Sequence, residues 1–139
     1  MSPKKRILCI SNDAVLLSTR TMLLEQAGFK VVPAFGFAAA METCSKDSSF
    51  DLILMGQTIP PKDKRTLIST LREIGCKAPT LSIRRQGDEV LPEVDFTIDS
   101  QAGPVALIDA VKAAVGVPKG AASTRSKPER SSRSQSSDD

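Results

Sequence analysis

A doubly wound α/β fold, with five parallel strands in the order 2-1-3-4-5, is predicted for this chain by three observations. Short apolar runs alternate with helical patterns five times, always strand before helix, the order of βαβ units closing a parallel sheet. The third run, LILM within residues 51–55, is apolar at every position, as a strand covered on both faces must be. The second run carries Pro33, which lacks the N–H that a central strand needs and so belongs at an edge.

Residues 6–10 (RILCI) predict the first strand. Residues 13–27 predict the first helix, with Leu16, Arg20, Leu23 and Ala27 along one stripe and Gly28 as the left-handed residue that commonly ends a helix. The second strand covers 30–34, and a helix over 37–45, with three consecutive alanines, leads to the third strand at 51–55. Residues 63–74 carry Leu67, Ile68 and Leu71 at helical spacing and end at Gly75, again a C-cap residue. The fourth strand is 80–83, a short helix at 87–91 is broken by Pro92, and the last strand is 96–98. The final helix, 104–115, has Leu107, Ile108, Val111 and Val115 as its core stripe and Pro104 in the first turn, where proline is favoured.

The 139 residues suffice for one domain with a real core, and 40% hydrophobic with 25% charged residues is the composition of a soluble globular protein. The apolar runs stop well short of the ~20 residues that a membrane span needs. MSPKKR leads into a strand without the apolar core of a secretory signal, so a cytoplasmic protein without membrane contact is expected. Cys9, Cys44 and Cys76 are odd in number and lack C-x-x-C spacing, against a disulfide framework and against a zinc site. Packed, reduced thiols are expected, with Cys44 and Cys76 the candidates for exposure.

Histidine is absent, which excludes a His general base, Ser-His and Cys-His pairs and imidazole metal ligands. A net charge of +3 is too slight to call for a nucleic-acid partner. After Gly116 the composition turns to Ser, Arg, Lys, Pro and Asp without apolar periodicity. A domain over 1–117 and a disordered Ser/Arg-rich tail over 118–139 are therefore expected, because such a tail cannot bury enough surface to offset its ordering entropy. Its Lys119, Arg125, Lys127, Arg130 and Arg133 leave open a contact with nucleic acid, against the plainer reading of a solvated terminus.

ILCISND at the first strand, DLILMGQTIPP at the third, APTLSIRRQGDE at the fourth and VDFTIDS followed by PVALIDAVKAAV at the fifth resemble a response-regulator receiver domain of two-component signalling, over residues 4–116. The resemblance implies the flavodoxin-like (CheY-like) form of the fold. It also implies where chemistry would sit. Receivers place two acidic residues after the first strand, and those positions here are Ser11 and Asn12, with Asp13 just beyond. Together with a phosphoacceptor aspartate at the end of the third strand, here Gly56, the acidic pair binds Mg²⁺. The hydroxyl residue that ends the fourth strand corresponds to Arg84, and the lysine that ends the fifth corresponds to Asp99, followed by Ser100 in place of proline.

Glycine has no carboxylate to phosphorylate, and Asn12 offers a neutral amide where Mg²⁺ prefers charged carboxylates. The resemblance thus points to a pseudo-receiver without a catalytic residue, without Mg²⁺ and without another cofactor or metal. Thr58, Ile59 and Pro60 keep the family's turn pattern, which speaks for inherited backbone geometry. One of Ser11, Asn12 and Asp13 is expected to cap the first helix. Arg84 and Asp99 end neighbouring strands with opposite charge and predict a pair that fills part of the vacated pocket, contributing ~0 to 1 kcal/mol at a surface. Capture of an external anion by Arg84 and Arg85 is a rival use of those charges, weakened because no Gly-rich phosphate loop follows the first strand.

By the same resemblance the partner surface comprises the fourth helix, fifth strand and fifth helix, here Arg85, Glu89, Phe96, Thr97 and Lys112, with Phe96 at the position of the family's switch aromatic. The implied function is a receiver-like signalling module of a phosphorelay. It is not an enzyme, and it acts without phosphorylation by protein–protein interaction on a histidine kinase, another regulator, an effector domain or a second copy. Two alternatives stay open: a phosphoacceptor that uses a displaced aspartate such as Asp13 or Asp99, and nucleic-acid binding through the tail.

Overall fold

The computed structural model describes residues 4–47 and 49–116. The expected tail, its basic residues and their nucleic-acid contact lie outside the described residues. In chain order the elements are β1 (Arg6–Ser11), α1 (Ala14–Gln26), β2 (Lys30–Phe35), α2 (Gly36–Lys46), β3 (Leu52–Met55), α3 (Pro61–Glu73), β4 (Thr80–Arg84) and β5 (Phe96–Asp99). A one-turn 3₁₀ segment (Ser100–Ala102) and α4 (Gly103–Val115) complete the domain. The strands form one parallel sheet in the order β2-β1-β3-β4-β5. Pro33 lies on the edge strand β2 opposite Cys9, where its missing N–H costs no central ladder bond.

Strand alternation decides the two layers. Leu8 and Ile10 of β1, with Ile53 and Met55 of β3, face α2 and α3 and pack with Ala40, Cys44, Phe50, Leu67, Ile68 and Leu71. Ile7 and Cys9, with Leu52 and Leu54, face α1 and α4 and pack with Leu17, Leu24, Leu81, Leu107 and Val111. This is why LILM is apolar throughout: successive side chains enter opposite cores, and all four are fully buried. All three cysteines are free and buried, Cys44 and Cys76 included, so neither has the exposure considered for it. Burial pushes the Cys9 thiol up to about 12, and burial next to Cys76 does the same to Cys44, as expected of inert, packed thiols.

Gly28 (φ +102°) and Gly75 (φ +94°) take the left-handed backbone expected after α1 and α3. Two expectations need correction. Residues 87–91 form no helix: Gly87 turns the chain with φ +95°, Pro92 follows, and the β4–β5 connection is an irregular loop whose Leu91 is buried. The stripe of α1 is also rotated, since the buried positions are Leu17, Arg20 and Leu24, with Leu16, Leu23 and Ala27 only half-buried. The helix is apolar on most sides, so its periodicity left the inward face ambiguous.

Candidate functional site

The carboxyl ends of β1, β3, β4 and β5 meet at Ser11, Gly56, Arg84 and Asp99, the edge where open α/β sheets place their ligands. Ser11 and Asn12, the positions of the receiver's acidic pair, are turned to structural work. The fully buried Ser11 hydroxyl accepts from Asp13 N at 3.0 Å and shares a hydrogen bond with Thr58 Oγ1 at 3.2 Å. Asn12 N donates to Thr58 Oγ1 at 2.9 Å, and its amide donates to the Thr58 carbonyl at 3.3 Å. Asp13 is the cap of α1, accepting from Leu16 N at 3.0 Å. These bonds tie the β1 end to the loop after β3.

Gly56 follows β3 directly, and its N–H donates to the Ile10 carbonyl at 2.9 Å. A Cβ at this position would stand 2.9 Å from Arg20 Nη1 and 3.2 Å from the Ile10 oxygen. The place vacated by the phosphoacceptor is therefore taken by the end of Arg20 from α1, a residue outside the Arg84–Asp99 pair that was expected to fill part of the pocket. Arg20 is only 8% exposed; its Nη2 donates to Gln57 Oε1 at 2.5 Å, while Nη1 is buried without a partner. Desolvation lowers the guanidinium's pKa, partly opposed by its attraction to Cys9 and Asp13.

A second cation arrives from α3. Lys64 is 2% exposed and donates to Ser82 Oγ and to the Ile83 carbonyl, both at 2.8 Å, pinning α3 to the end of β4. Desolvation brings its pKa down to about 8, with Asp88 opposing and the Arg85 and Arg20 charges adding to the fall. Both cations were overlooked as site residues, although each left a signal. Arg20 interrupts an apolar helix, and Lys64 stands three, four and seven residues before Leu67, Ile68 and Leu71, on the face that those residues bury.

The Arg84–Asp99 pair is present, with Arg84 Nη2 donating to Asp99 Oδ1 at 3.0 Å and Nη1 to the Asp88 carbonyl at 2.6 Å. The expected partner residues are spread over β5, the β4–β5 loop and α4. Phe96 is paired with Leu81 and packs into the α1/α4 core, whereas Thr97 is paired with Ser82, the residue that Lys64 reaches from α3. Arg85 and Glu89 sit on the β4–β5 loop and not on a helix, and Glu89 is held by Arg65 of α3 at 3.0 Å. Lys112 is exposed on α4.

The donor set does not suit Mg²⁺, which takes oxygen ligands and at least one carboxylate. Here a hydroxyl and an amide are bonded to Thr58, Gly56 faces the Arg20 guanidinium, and no cluster of three or more acidic or cysteine side chains that could hold a metal occurs among the described residues.

No family model and no curated protein matches the chain. Solved structures do. It superposes on a response-regulator receiver domain from Clostridium thermocellum with a TM-score of 0.71 at 16% identity, covering 81% of this chain and 94% of that one. The chain has the receiver fold. A receiver protein from Sinorhizobium medicae gives a TM-score of 0.66 at 22% identity, over 81% of this chain and 95% of the other. The receiver domain of the hybrid histidine kinase CckA gives 0.66 at 22%, over 79% and 98%. Among the described residues no helix is long and apolar enough to cross a membrane.

Proposed function

We propose that this chain is a receiver-like module of two-component, phosphorelay-type signalling that carries no phosphoryl group of its own, is not an enzyme, and works in the cytoplasm by contacting another signalling protein. A histidine kinase, a second regulator or an effector domain are the partner classes that suit a receiver fold. One observation carries the reading: the guanidinium of Arg20 stands beside Gly56, where a receiver presents the carboxylate that it phosphorylates. The other positions agree. Ser11 and Asn12 are spent on Thr58, Asp13 on the cap of α1, and Asp99 on Arg84, so neither aspartate suggested as a displaced acceptor stands free.

A switch needs a ligand that binds two states differently, and without an attachment point for phosphate that ligand is a partner protein. We take the contact to run along the edge strand β5, over the half-buried Thr97 and Phe96, with the exposed Lys112 of α4 beside it. Incubation of the full chain with a small-molecule phosphodonor and Mg²⁺, followed by intact-mass measurement, tests the reading. An unchanged mass is expected. An acid-stable or acid-labile phosphoryl adduct on any aspartate would overturn it.

A further inference from the structure

Two buried cations at one end of a sheet demand an account. Among the described residues neither Arg20 nor Lys64 has a carboxylate within ion-pair distance. Arg20 Nη1 is the one buried side-chain nitrogen or oxygen among them that lacks a hydrogen-bond partner. Buried donors almost always find an acceptor, because leaving one unmet costs about 1–3 kcal/mol, and more when the group is charged. Here the orphan is aimed. Gln57 holds Nη2, so the planar guanidinium turns Nη1 toward Gly56, which contributes no side chain to meet it.

A guanidinium offers a rigid fork of donors that matches the face of a phosphate or carboxylate, and a second cation nearby favours the more highly charged of the two. A cleft of about 220 Å³ between α1, the end of β5 and the start of α4 reaches Arg20, lined also by Thr19, Ser100 and Gly103. Lys64 comes from α3 and is not among the cleft's lining residues; the Arg20 charge adds to the fall of its pKa, after desolvation and the Arg85 charge. The cleft's one carboxylate, Asp99, is already paired with Arg84 at 3.0 Å.

We propose that this end of the sheet is a receptor for a small oxyanion of the phosphate class, held non-covalently on the Arg20 guanidinium, with Lys64 as the second charge. No bond is made to the protein. An oxygen of the anion takes the free Nη1–H, and its charge adds to the partial compensation that Asp13 gives Arg20 and Asp88 gives Lys64. The site is thus the reverse of a receiver's: the cations are built in, and the anion comes and goes. The inference is separable from the docking reading, since phosphate held this way leaves a denatured chain and does not change its mass.

Calorimetric titration of the full chain with inorganic phosphate, at ionic strength held constant with chloride, is the test. Saturable binding to one site is expected, with Arg20→Met weakening it roughly tenfold or more. Gly56→Asp, which sets an internal carboxylate beside Nη1, is expected to abolish it. Should that variant not fold, Lys64→Met serves instead and is expected to weaken binding in the same direction. Parallel titrations with a small phosphomonoester and with acetate separate free phosphate, phosphate esters and carboxylates. Heats no larger than the chloride control, equal affinity in the wild-type and Arg20→Met proteins, or acetate bound as tightly as phosphate would each sink the idea.

Discussion

Arg6 and Arg20 are the same residue type at opposite ends of one sheet, and their surroundings differ in kind. At the amino end, Arg6 Nη1 lies 2.9 Å from Asp47 Oδ2 and donates to Ser49 Oγ at 2.6 Å and to the Ser49 carbonyl at 3.0 Å. Its guanidinium covers the Phe50 ring at 4.6 Å, and its backbone N–H donates to Asp51 Oδ2 at 2.8 Å. The Ser49 hydroxyl and N–H, and then Arg6, hold the Asp47 carboxyl below its ordinary pKa. Every group there has an answer. At the carboxyl end Arg20 is more deeply buried, has one acceptor, and leaves a charged N–H unmet. A fold seeking stability alone would repeat the first arrangement. The second is a local cost of the sort retained at sites that do something, and the well-paired amino end and the two apolar cores supply the stability that tolerates it.

The largest effect that can break this contrast lies at Lys64, whose pKa falls from 10.5 in an unfolded chain to about 8 in the fold. Between those values the unfolded chain binds more protons. Lys64 therefore makes stability rise with pH across that window, and the cost of its buried charge is fully present below about 8. The shift corresponds to something on the order of 3 kcal/mol. Asp88, Arg85 and Arg20 are the charges acting on it, and they remain in a Lys64→Met variant. Cys9 and Cys44, both near 12, lower stability as unfolded thiols ionise above 9.0, but they do so in both proteins and cancel in the difference. Urea unfolding of the two proteins across the window should show the wild type gaining on the variant as pH rises. A constant gap would mean that water reaches Lys64.

A smaller effect, but one that differs in sign, comes from making the same substitution at both ends. Arg6→Met loses hydrogen bonds to Ser49 and the contact with Phe50 and should destabilise by about 1 kcal/mol, the half-solvated Asp47 pair adding little. Arg20→Met removes an unmatched buried charge beside Leu16 and Leu23 and should stabilise by roughly 1–2 kcal/mol. Urea midpoints measured in phosphate-free buffer decide it. Equal losses at both ends would mean that Arg20 is as well satisfied as Arg6, and the contrast would fall.

How far the sequence was legible follows the same divide. The strands and their order could be read because burial on two sides leaves a plain mark: LILM has no polar position, and Pro33 can sit only at an edge. The β4–β5 connection was misread as a helix because Gly87–Leu91 is too short for periodicity to outweigh Gly87 and Pro92. At the site, Gly56 announced a missing carboxylate, but what replaced it was hidden in residues of other elements. A long cation on an apolar helix face usually carries its charged head out to water. Whether it does so or turns inward depends on what the neighbouring loop leaves open, and that is a tertiary fact. Arg20 turned inward because Gly56 leaves room; Lys64 did so because Ser82 and the Ile83 carbonyl receive it.

Arg84 and Asp99 provide the smallest and most local test, since they were legible as a pair and lie at the same end as the two buried cations. Asp99 is 60% exposed at its side chain, so solvent screens the attraction despite the 3.0 Å contact. A double-mutant cycle with Arg84→Met and Asp99→Asn should give a coupling of a few tenths of a kcal/mol, and salt should reduce it further. Arg84→Met alone should cost more than the coupling, because its Nη1 also holds the Asp88 carbonyl and so fixes the loop that replaces a helix. If the coupling instead reached the 1.5–3 kcal/mol of a desolvated charged pair, Asp99 would be drawn inward in solution, toward Arg20. The carboxyl end would then supply its own anion, and the distinction between its two ends that Arg6 and Arg20 draw would narrow to one of exposure.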